Sequence, residues 1–295
     1  MFEGIYVPVV TPFHSDGSLD IASLSKLSER LVADGVAGLV PLGTTGEASA
    51  LNASERALVV ETCAKAVAGT SVELVVGAGT NSTSSTIERM EEFLNYSPDS
   101  FLIVTPYYVR PSEEGIIAHF LAVADAADKA GVDVMLYNIP ARSGRYVSTD
   151  GLLEAAKHSR ITGVKQAAGG IDDETVKLLA HAPDSFSVLA GDDAFIAPVT
   201  LLGGKGAVAA SAHLATRSWV DMVKTGLQGD VASTIELHEK LLPIVGSAFA
   251  EPNPTVFKGV LAALGEIESD FVRLPLLPAK KQSVDACVTA LKALG

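Results

Sequence analysis

Short apolar runs alternate along this chain with longer amphipathic stretches. The runs Ile5–Val10, Gly38–Leu42, Val72–Val76, Phe101–Thr105, Val132–Tyr137, Thr162–Lys165, Phe186–Leu189 and Gly206–Ala210 are rich in Val, Ile and Leu and nearly free of charge. That is the pattern of strands buried on both faces. Between them, Ile21–Ala33, Ser54–Ala68, Thr83–Leu94, Glu113–Ala130, Ser148–His158, Asp172–His181, Ala194–Leu202 and Thr216–Thr225 read as helices. Eight strand–helix repeats predict an α/β fold, a (β/α)8 TIM barrel. A doubly wound open sheet is the alternative, but it usually carries a Gly-rich phosphate loop after its first strand. Here the first strand runs into Thr11-Pro12-Phe13-His14.

From about Asp230 onward the strand pattern stops. Val231–Phe249, Thr255–Leu264 and Ala279–Leu294 read as helices, punctuated by Pro252, Pro254, Pro275 and Pro278. The expected division is a barrel over residues 1–228 and a C-terminal helical extension over 229–295. Asn52-Ala53-Ser54-Glu55 and Ser112-Glu113-Glu114 predict N-caps with acidic first turns. Asp192-Asp193 before Ala194 reads as another cap, which the lack of a His or further carboxylate at ligand spacing favours over a metal site.

Composition narrows the function classes. The 295 residues are 48% hydrophobic, enough for a large core, and carry a net charge of -13. An acidic chain without a basic cluster is a poor partner for nucleic acid or an anionic membrane. No apolar run reaches transmembrane length, and no signal peptide is visible at the N-terminus, so a cytoplasmic location is expected. Cys63 and Cys287 are too few for a disulfide framework or a zinc site, and Cys63 reads as a core thiol.

Lys165 stands out at the end of the buried-strand pattern Ile161-Thr162-Gly163-Val164. Burying an ammonium is costly. Burial therefore favours the neutral amine, which is the nucleophilic form. The ordinary alternative is a side chain that snorkels to water. Chemistry in a TIM barrel occurs at the C-terminal strand ends. Those ends deliver Gly43-Thr44-Thr45-Gly46-Glu47, Gly77–Asn81, Thr105-Pro106-Tyr107-Tyr108, Tyr137–Arg142, Lys165, Gly191-Asp192 and Ser211. The opposite rim shows no comparable concentration of polar residues. An amine can capture a ketone as an imine. A phenol such as Tyr137 can move the protons, Thr44 and Thr45 can relay them or hold a carboxylate, and Arg142 offers a planar fork for a second carboxylate. Gly43 and Gly46 would let the backbone approach a ligand. Each residue alone also admits a structural role: Tyr137 as a barrel-lining aromatic, Tyr107 and Tyr108 as ordinary interface or core residues, Thr44-Thr45 at a helix start, Arg142 in a surface ion pair.

The strings GTTGE (Gly43–Glu47), VTPYY (Val104–Tyr108), YNIPARSG (Tyr137–Gly144), GVK (Gly163–Lys165) and GDD (Gly191–Asp193) resemble the dihydrodipicolinate synthase and N-acetylneuraminate lyase family. So do Pro8–Phe13 and Glu251-Pro252-Asn253-Pro254. The resemblance implies a lysine-dependent aldolase acting on pyruvate and a small aldehyde, with no metal or organic cofactor. It makes Lys165 the Schiff-base residue, Tyr137 the general acid/base, and Thr45 the link to Tyr108, supplied by a neighbouring subunit. Thr44 and Thr45 would hold the pyruvate carboxylate, with Gly191 and Val208 lining the pocket. A homodimer at least, commonly a tetramer built as a dimer of dimers, is implied.

Arg142 and the GTTGE string resemble the synthase branch, which condenses pyruvate with L-aspartate 4-semialdehyde. Gln166-Ala167-Ala168-Gly169-Gly170 departs from that branch, and a Gln after the lysine resembles the lyases. Another pyruvate-dependent aldolase, or a non-catalytic oxo-acid-binding paralogue, therefore stays open. Where lysine-sensitive relatives carry two histidines and a glutamate, this chain has Ala53, Arg56 and Ser85, beside Asn81 and Tyr107. Weak or absent inhibition by lysine is expected, because an added Arg repels a cation.

Overall fold

The computed structural model describes residues 1–294. Eight strands, β1 (Gly4–Val7), β2 (Gly38–Leu39), β3 (Glu73–Gly77), β4 (Ser100–Val104), β5 (Asp133–Asn138), β6 (Ile161–Gln166), β7 (Ser187–Ala190) and β8 (Gly206–Val208), form a closed barrel in sequence order. All neighbours are parallel, and β8 closes on β1 through Gly4–Gly206, Ile5–Ala207 and Tyr6–Val208. This closure excludes the open sheet.

Strand alternation divides the core into two layers. Tyr6, Val40, Val75, Leu102, Met135, Tyr137, Leu189 and Val208 fill the barrel interior. Val7, Leu39, Val76, Ile103, Leu136, Val164, Val188 and Ala207 face the surrounding helices. Phe2 and Tyr6 meet edge to face at 5.7 Å within the interior layer. Gly163 admits them, since a Cβ there would stand 2.7 Å from the Phe2 ring. The lower rim is not bare. Tyr6 donates to Glu73 Oε2 at 2.9 Å, and Arg160 pairs with Asp128 and Asp133. These groups satisfy one another.

The helices are α1 (Ile21–Ala33), α2 (Ala53–Val67), α3 (Thr83–Phe93), α4 (Glu113–Ala130), α5 (Pro140–Ser143), α6 (Thr149–Ala155), α7 (Asp173–His181), α8 (Ile196–Leu201), α9 (Thr216–Leu227), α10 (Val231–Ala248), α11 (Thr255–Ala263) and α12 (Lys281–Leu294). Asn52 and Glu55 form a reciprocal capping box on α2, and Ser112 caps α4 through Gly115 N–H. Cys63 is fully buried. Among the described residues no helix is long and apolar enough to cross a membrane.

Local departures from the expected elements have local causes. β1 stops at Val7 because Pro8 has no N–H for the ladder. β2 stops at Leu39, before Pro41 and a left-handed Leu42 (φ 61°). Thr44–Gly46 is a 3₁₀ turn and not the start of a helix. α5 is an unexpected short helix, opened by Pro140 and ended by a left-handed Gly144.

Candidate active site

β5 and β6 place Tyr137 and Lys165 as register partners. Lys165 Nζ lies 4.4 Å from the Tyr137 ring centroid. Lys165 is 7% exposed and makes no hydrogen bond or ion pair among the described residues. Its stem passes over Gly191, where a Cβ would stand 3.0 Å from Lys165 Cγ and 2.7 Å from Ala167 Cβ. Gly191 N–H donates to Gln166 O at 2.7 Å, which fixes the turn leaving β7. Val208 lies in the barrel interior with Leu189 and Ala167.

The expected cap at Asp192-Asp193 is not formed. Neither carboxylate bonds to the short turn that follows. Asp192 Oδ2 accepts from Gly169 N–H at 2.8 Å, and Asp193 Oδ2 accepts from Ser211 N–H at 2.6 Å. They tie the strand-end loops of β6 and β8 to that of β7. Burial pushes the Asp193 carboxyl up to about 6, against the Ser211 bond and the Lys165 charge. Asp192 is raised by burial too, while Gly169 N–H and Lys165 pull it down.

Beside Tyr137 opens a cavity of about 540 Å³ lined by Gly43, Thr44, Tyr107, Tyr137, Ile139 and Arg142, among others. Arg142 lies in α5, exposed and without an ion pair among the described residues. It is therefore free to meet an anion. Lys165, Gly191 and Val208 do not line this cavity, although Lys165 adjoins the Tyr137 ring that does. Tyr108 does not reach the cavity either. It is 87% exposed, with a left-handed φ of 70°. Tyr107, its neighbour, takes the lining position.

Thr44 lines the cavity, whereas Thr45 is turned inward and 2% exposed. Thr45 Oγ1 accepts from Asn253 Nδ2 at 3.0 Å. The Thr44–Thr45 turn is braced from below by Glu47, itself left-handed at φ 52°. Glu47 Oε1 accepts from Lys258 Nζ at 2.7 Å, and Glu47 Oε2 accepts from Arg273 N–H at 2.9 Å. Lys258 is wholly buried, 4.2 Å from the Phe13 ring centroid. Burial pushes its ammonium down to about 8, against the Glu47 charge, which raises it. Arg273 also grips Glu55 through Nη1 at 2.7 Å and Nη2 at 2.6 Å. Gly46 serves this packing, since a Cβ there would meet Val9 O at 3.0 Å. Sequence reasoning missed Glu47, Asn253, Lys258 and Arg273 as positioning residues. Lys258 had a visible signal, a cation inside the apolar run Val256-Phe257-Lys258-Gly259-Val260.

Gln166 points away from the cavity. Its Oε1 accepts from Asn138 Nδ2 at 3.0 Å, and its Nε2 donates to Thr175 Oγ1 at 3.1 Å and to Tyr146 Oη at 3.2 Å. It joins β5, β6 and α7. His14, Asp20 and Glu268 bring ligand-capable atoms within 4.8 Å of one another. His14 Nδ1 pairs with Glu268 at 2.9 Å, and Asp20 Oδ1 already caps α1 through Ser23 N–H. These contacts clasp the loop after β1 to the C-terminal segment.

The sequence model of the dihydrodipicolinate synthetase family matches residues 1–294. The chain is 37% identical over 295 residues to a 4-hydroxy-tetrahydrodipicolinate synthase of Neisseria meningitidis, covering 100% of this chain and 99% of the relative. It is 36% identical over 283 residues to one of Methanothrix thermoacetophila, covering 96% and 94%. The solved dihydrodipicolinate synthase of Thermotoga maritima superposes with a TM-score of 0.94 at 31% identity, covering 100% and 99%. A chloride-inhibited dihydrodipicolinate synthase of Acinetobacter baumannii, complexed with pyruvate, superposes with the same TM-score, identity and coverage.

Proposed function

The chain belongs to the dihydrodipicolinate synthetase family, and from that premise we propose that it condenses pyruvate with L-aspartate 4-semialdehyde through a Schiff base on Lys165. The product is 4-hydroxy-tetrahydrodipicolinate, on the route to diaminopimelate and lysine. One observation carries this reading: a buried Lys165 amine without an ion pair among the described residues lies 4.4 Å from the Tyr137 ring, and Tyr137 lines a cavity with Arg142.

The Lys165 nitrogen adds through its lone pair to the ketone carbon of pyruvate, and the carbinolamine loses water to give an imine. The Tyr137 hydroxyl gives and takes the protons of these steps. The imine withdraws electrons from the neighbouring methyl group, which loses a proton and becomes an enamine. The enamine carbon attacks the aldehyde, forming the carbon–carbon bond, and the oxygen gains a proton. The acceptor's own amine then displaces Nζ from the imine carbon, closing the ring and freeing Lys165. The imine is the electron sink, so the reaction calls for no metal or organic cofactor.

Thr44 and Thr45 hold the pyruvate carboxylate in this reading, with Gly191 and Val208 around its carbon end. Arg142 grips the acceptor carboxylate in a bidentate fashion. Tyr108 extends the proton relay from Thr45 of a second copy. Its exposure, beside a 56% exposed Val109, suits a rim covered by another subunit in a homodimer or a dimer-of-dimers tetramer. The glutamine that resembled the lyases is engaged elsewhere, so no cavity residue favours a sugar-acid acceptor. Steady-state rates with pyruvate and a panel of aldehydes test the assignment. Aspartate semialdehyde should give the highest kcat/KM; faster turnover of an uncharged or sugar aldehyde would overturn it.

A further inference from the structure

The loop after β1 and the segment after α11 meet in a cluster of side chains that the condensation does not use. The loop is a tight antiparallel turn, in which Phe13 bridges to Leu19 and His14 N–H donates to Ser18 O at 2.8 Å. Phe13 is buried and meets Phe271 edge to face at 6.3 Å. Arg273 Nη2 donates to Gly17 O at 2.8 Å. These contacts hold the turn against the C-terminal segment and bring Glu268 beside it. His14, Asp20 and Glu268 each then offer one ligand-capable atom within 4.8 Å of the other two. Asp20 is the member that ordinary packing does not explain. It is 2% exposed, and its Oδ1 caps α1 through Ser23 N–H at 2.9 Å. Its buried Oδ2 accepts no hydrogen bond among the described residues. Burial works against its charge, while the Ser23 donors, the His14 charge and the Glu268 backbone favour it, and the balance holds the carboxyl below its ordinary range. A buried carboxylate oxygen without a donor is costly, and a cation is the partner it lacks. His14 Nδ1 and Glu268 Oε2 lie 2.9 Å apart, and both side chains keep contact with solvent, which leaves an entry path. Ligand atoms around a tetrahedral zinc ion stand about 3.4 Å apart. The two exposed side chains can take up the remaining difference. An imidazole nitrogen with two carboxylate oxygens suits zinc better than calcium or magnesium, and leaves a fourth position for water.

We infer that His14, Asp20 and Glu268 form a binding site for a divalent transition-metal ion of the zinc class, which clamps the loop after β1 to the C-terminal segment. The ion takes the place of the His14–Glu268 hydrogen bond and gives Asp20 Oδ2 its partner. Through Gly17 and Arg273 the clamp bears on Glu47 and Glu55, but none of its ligands belongs to the reacting groups. The inference rests on these three ligands and not on the chemistry assigned to Lys165.

Calorimetric titration of the chelator-treated full chain with zinc chloride, and separately with calcium chloride, tests the site. Zinc should bind saturably at about one ion per chain and raise the melting temperature. Calcium should bind about tenfold more weakly or worse. Asp20→Asn keeps a side chain that can cap α1 but removes the anionic donor. Asp20→Asn and His14→Ala should each weaken zinc binding about tenfold or more and remove the thermal shift, since even an outer partner of a metal ligand is worth that much. His158→Ala removes an ordinary surface pair, His158 with Asp125 at 3.3 Å, and should leave zinc binding within about twofold. His14 is partly exposed, so its replacement should leave the fold intact and keeps the test open if the buried Asp20 tolerates no change. The inference is overturned if zinc does not bind saturably, if His14→Ala binds like wild type, if calcium binds as tightly as zinc, or if His158→Ala abolishes binding.

Discussion

Lys165 and Lys258 are both almost fully buried, at 7% and 0% exposure, yet they are held in opposite ways. Lys258 meets Glu47 at 2.7 Å in an apolar shell and packs against Phe13. Lys165 has an aromatic ring beside it and no ion pair among the described residues; Asp192 and Asp193, whose carboxyls feel its charge, are bonded to backbone N–H groups instead. A buried charge needs a partner to be tolerated. The paired lysine is a brace that keeps the Thr44–Thr45 turn in place. The unpaired one, on the proposed mechanism, keeps its nitrogen available for attack on a ketone. Burial alone therefore does not separate the two lysines; their partners do.

The widest separation between the two should appear in activity. Lys165→Ala should lower turnover by about a thousandfold or more, as removal of a covalent nucleophile does. Its folding stability should be unchanged or higher, since an unpaired buried amine is lost. An unfolded variant would erase the contrast. Lys258→Met should do the reverse first. Leaving Glu47 buried without its partner should cost upward of about 3 kcal/mol in urea unfolding. Adding Glu47→Leu to Lys258→Met should restore most of that loss, and failure to do so would show that Glu47 stabilises the fold by another route.

Arg142→Ala sharpens the contrast within the site itself. It should lower kcat/KM for aspartate semialdehyde by roughly a hundredfold through the lost bidentate contact, and leave imine formation with pyruvate intact. Equal loss in both half-reactions would remove its assignment to the acceptor.

The smallest effect concerns a buried base outside the comparison. His213 Nε2 accepts from Val10 N–H at 3.1 Å, and Nδ1–H donates to Ala210 O at 2.8 Å, which fixes the neutral tautomer. Burial pushes it down to about 4. The unfolded chain takes up this proton near the ordinary 6.5, so the stability is full above that pH and is lost as pH falls towards 4. Between pH 7 and 5 the loss should be about 2 kcal/mol. Asp193, raised to about 6, works in the opposite sense over part of that window. The difference between wild type and His213→Gln therefore isolates the histidine, and parallel pH profiles would contradict the assignment.

The barrel was legible because its strands carry a one-dimensional signal, an unbroken apolar run, that survives without knowledge of neighbours. Lys165, Tyr137 and Thr44 could be placed at one rim for the same reason, since strand ends are fixed by the runs. Lys165 and Gln166 were separable in principle, because adjacent strand residues face opposite sides and only one can look into the barrel. Glu47 and Lys258 were not, being 211 positions apart in the chain. Nor were the Asp192 and Asp193 partners, which are backbone amides of other strand-end loops. Tyr108 was placed at the rim correctly, but its side chain turns outward, which no spacing rule encodes.

The central claim is most directly tested by incubating the protein with pyruvate, reducing with borohydride, and mapping the modified peptide by mass spectrometry. The account predicts a reduced three-carbon adduct on Lys165 and none on Lys258, although both amines are buried. No adduct at all, or an adduct on Lys258 with Lys165 unmodified, would contradict it.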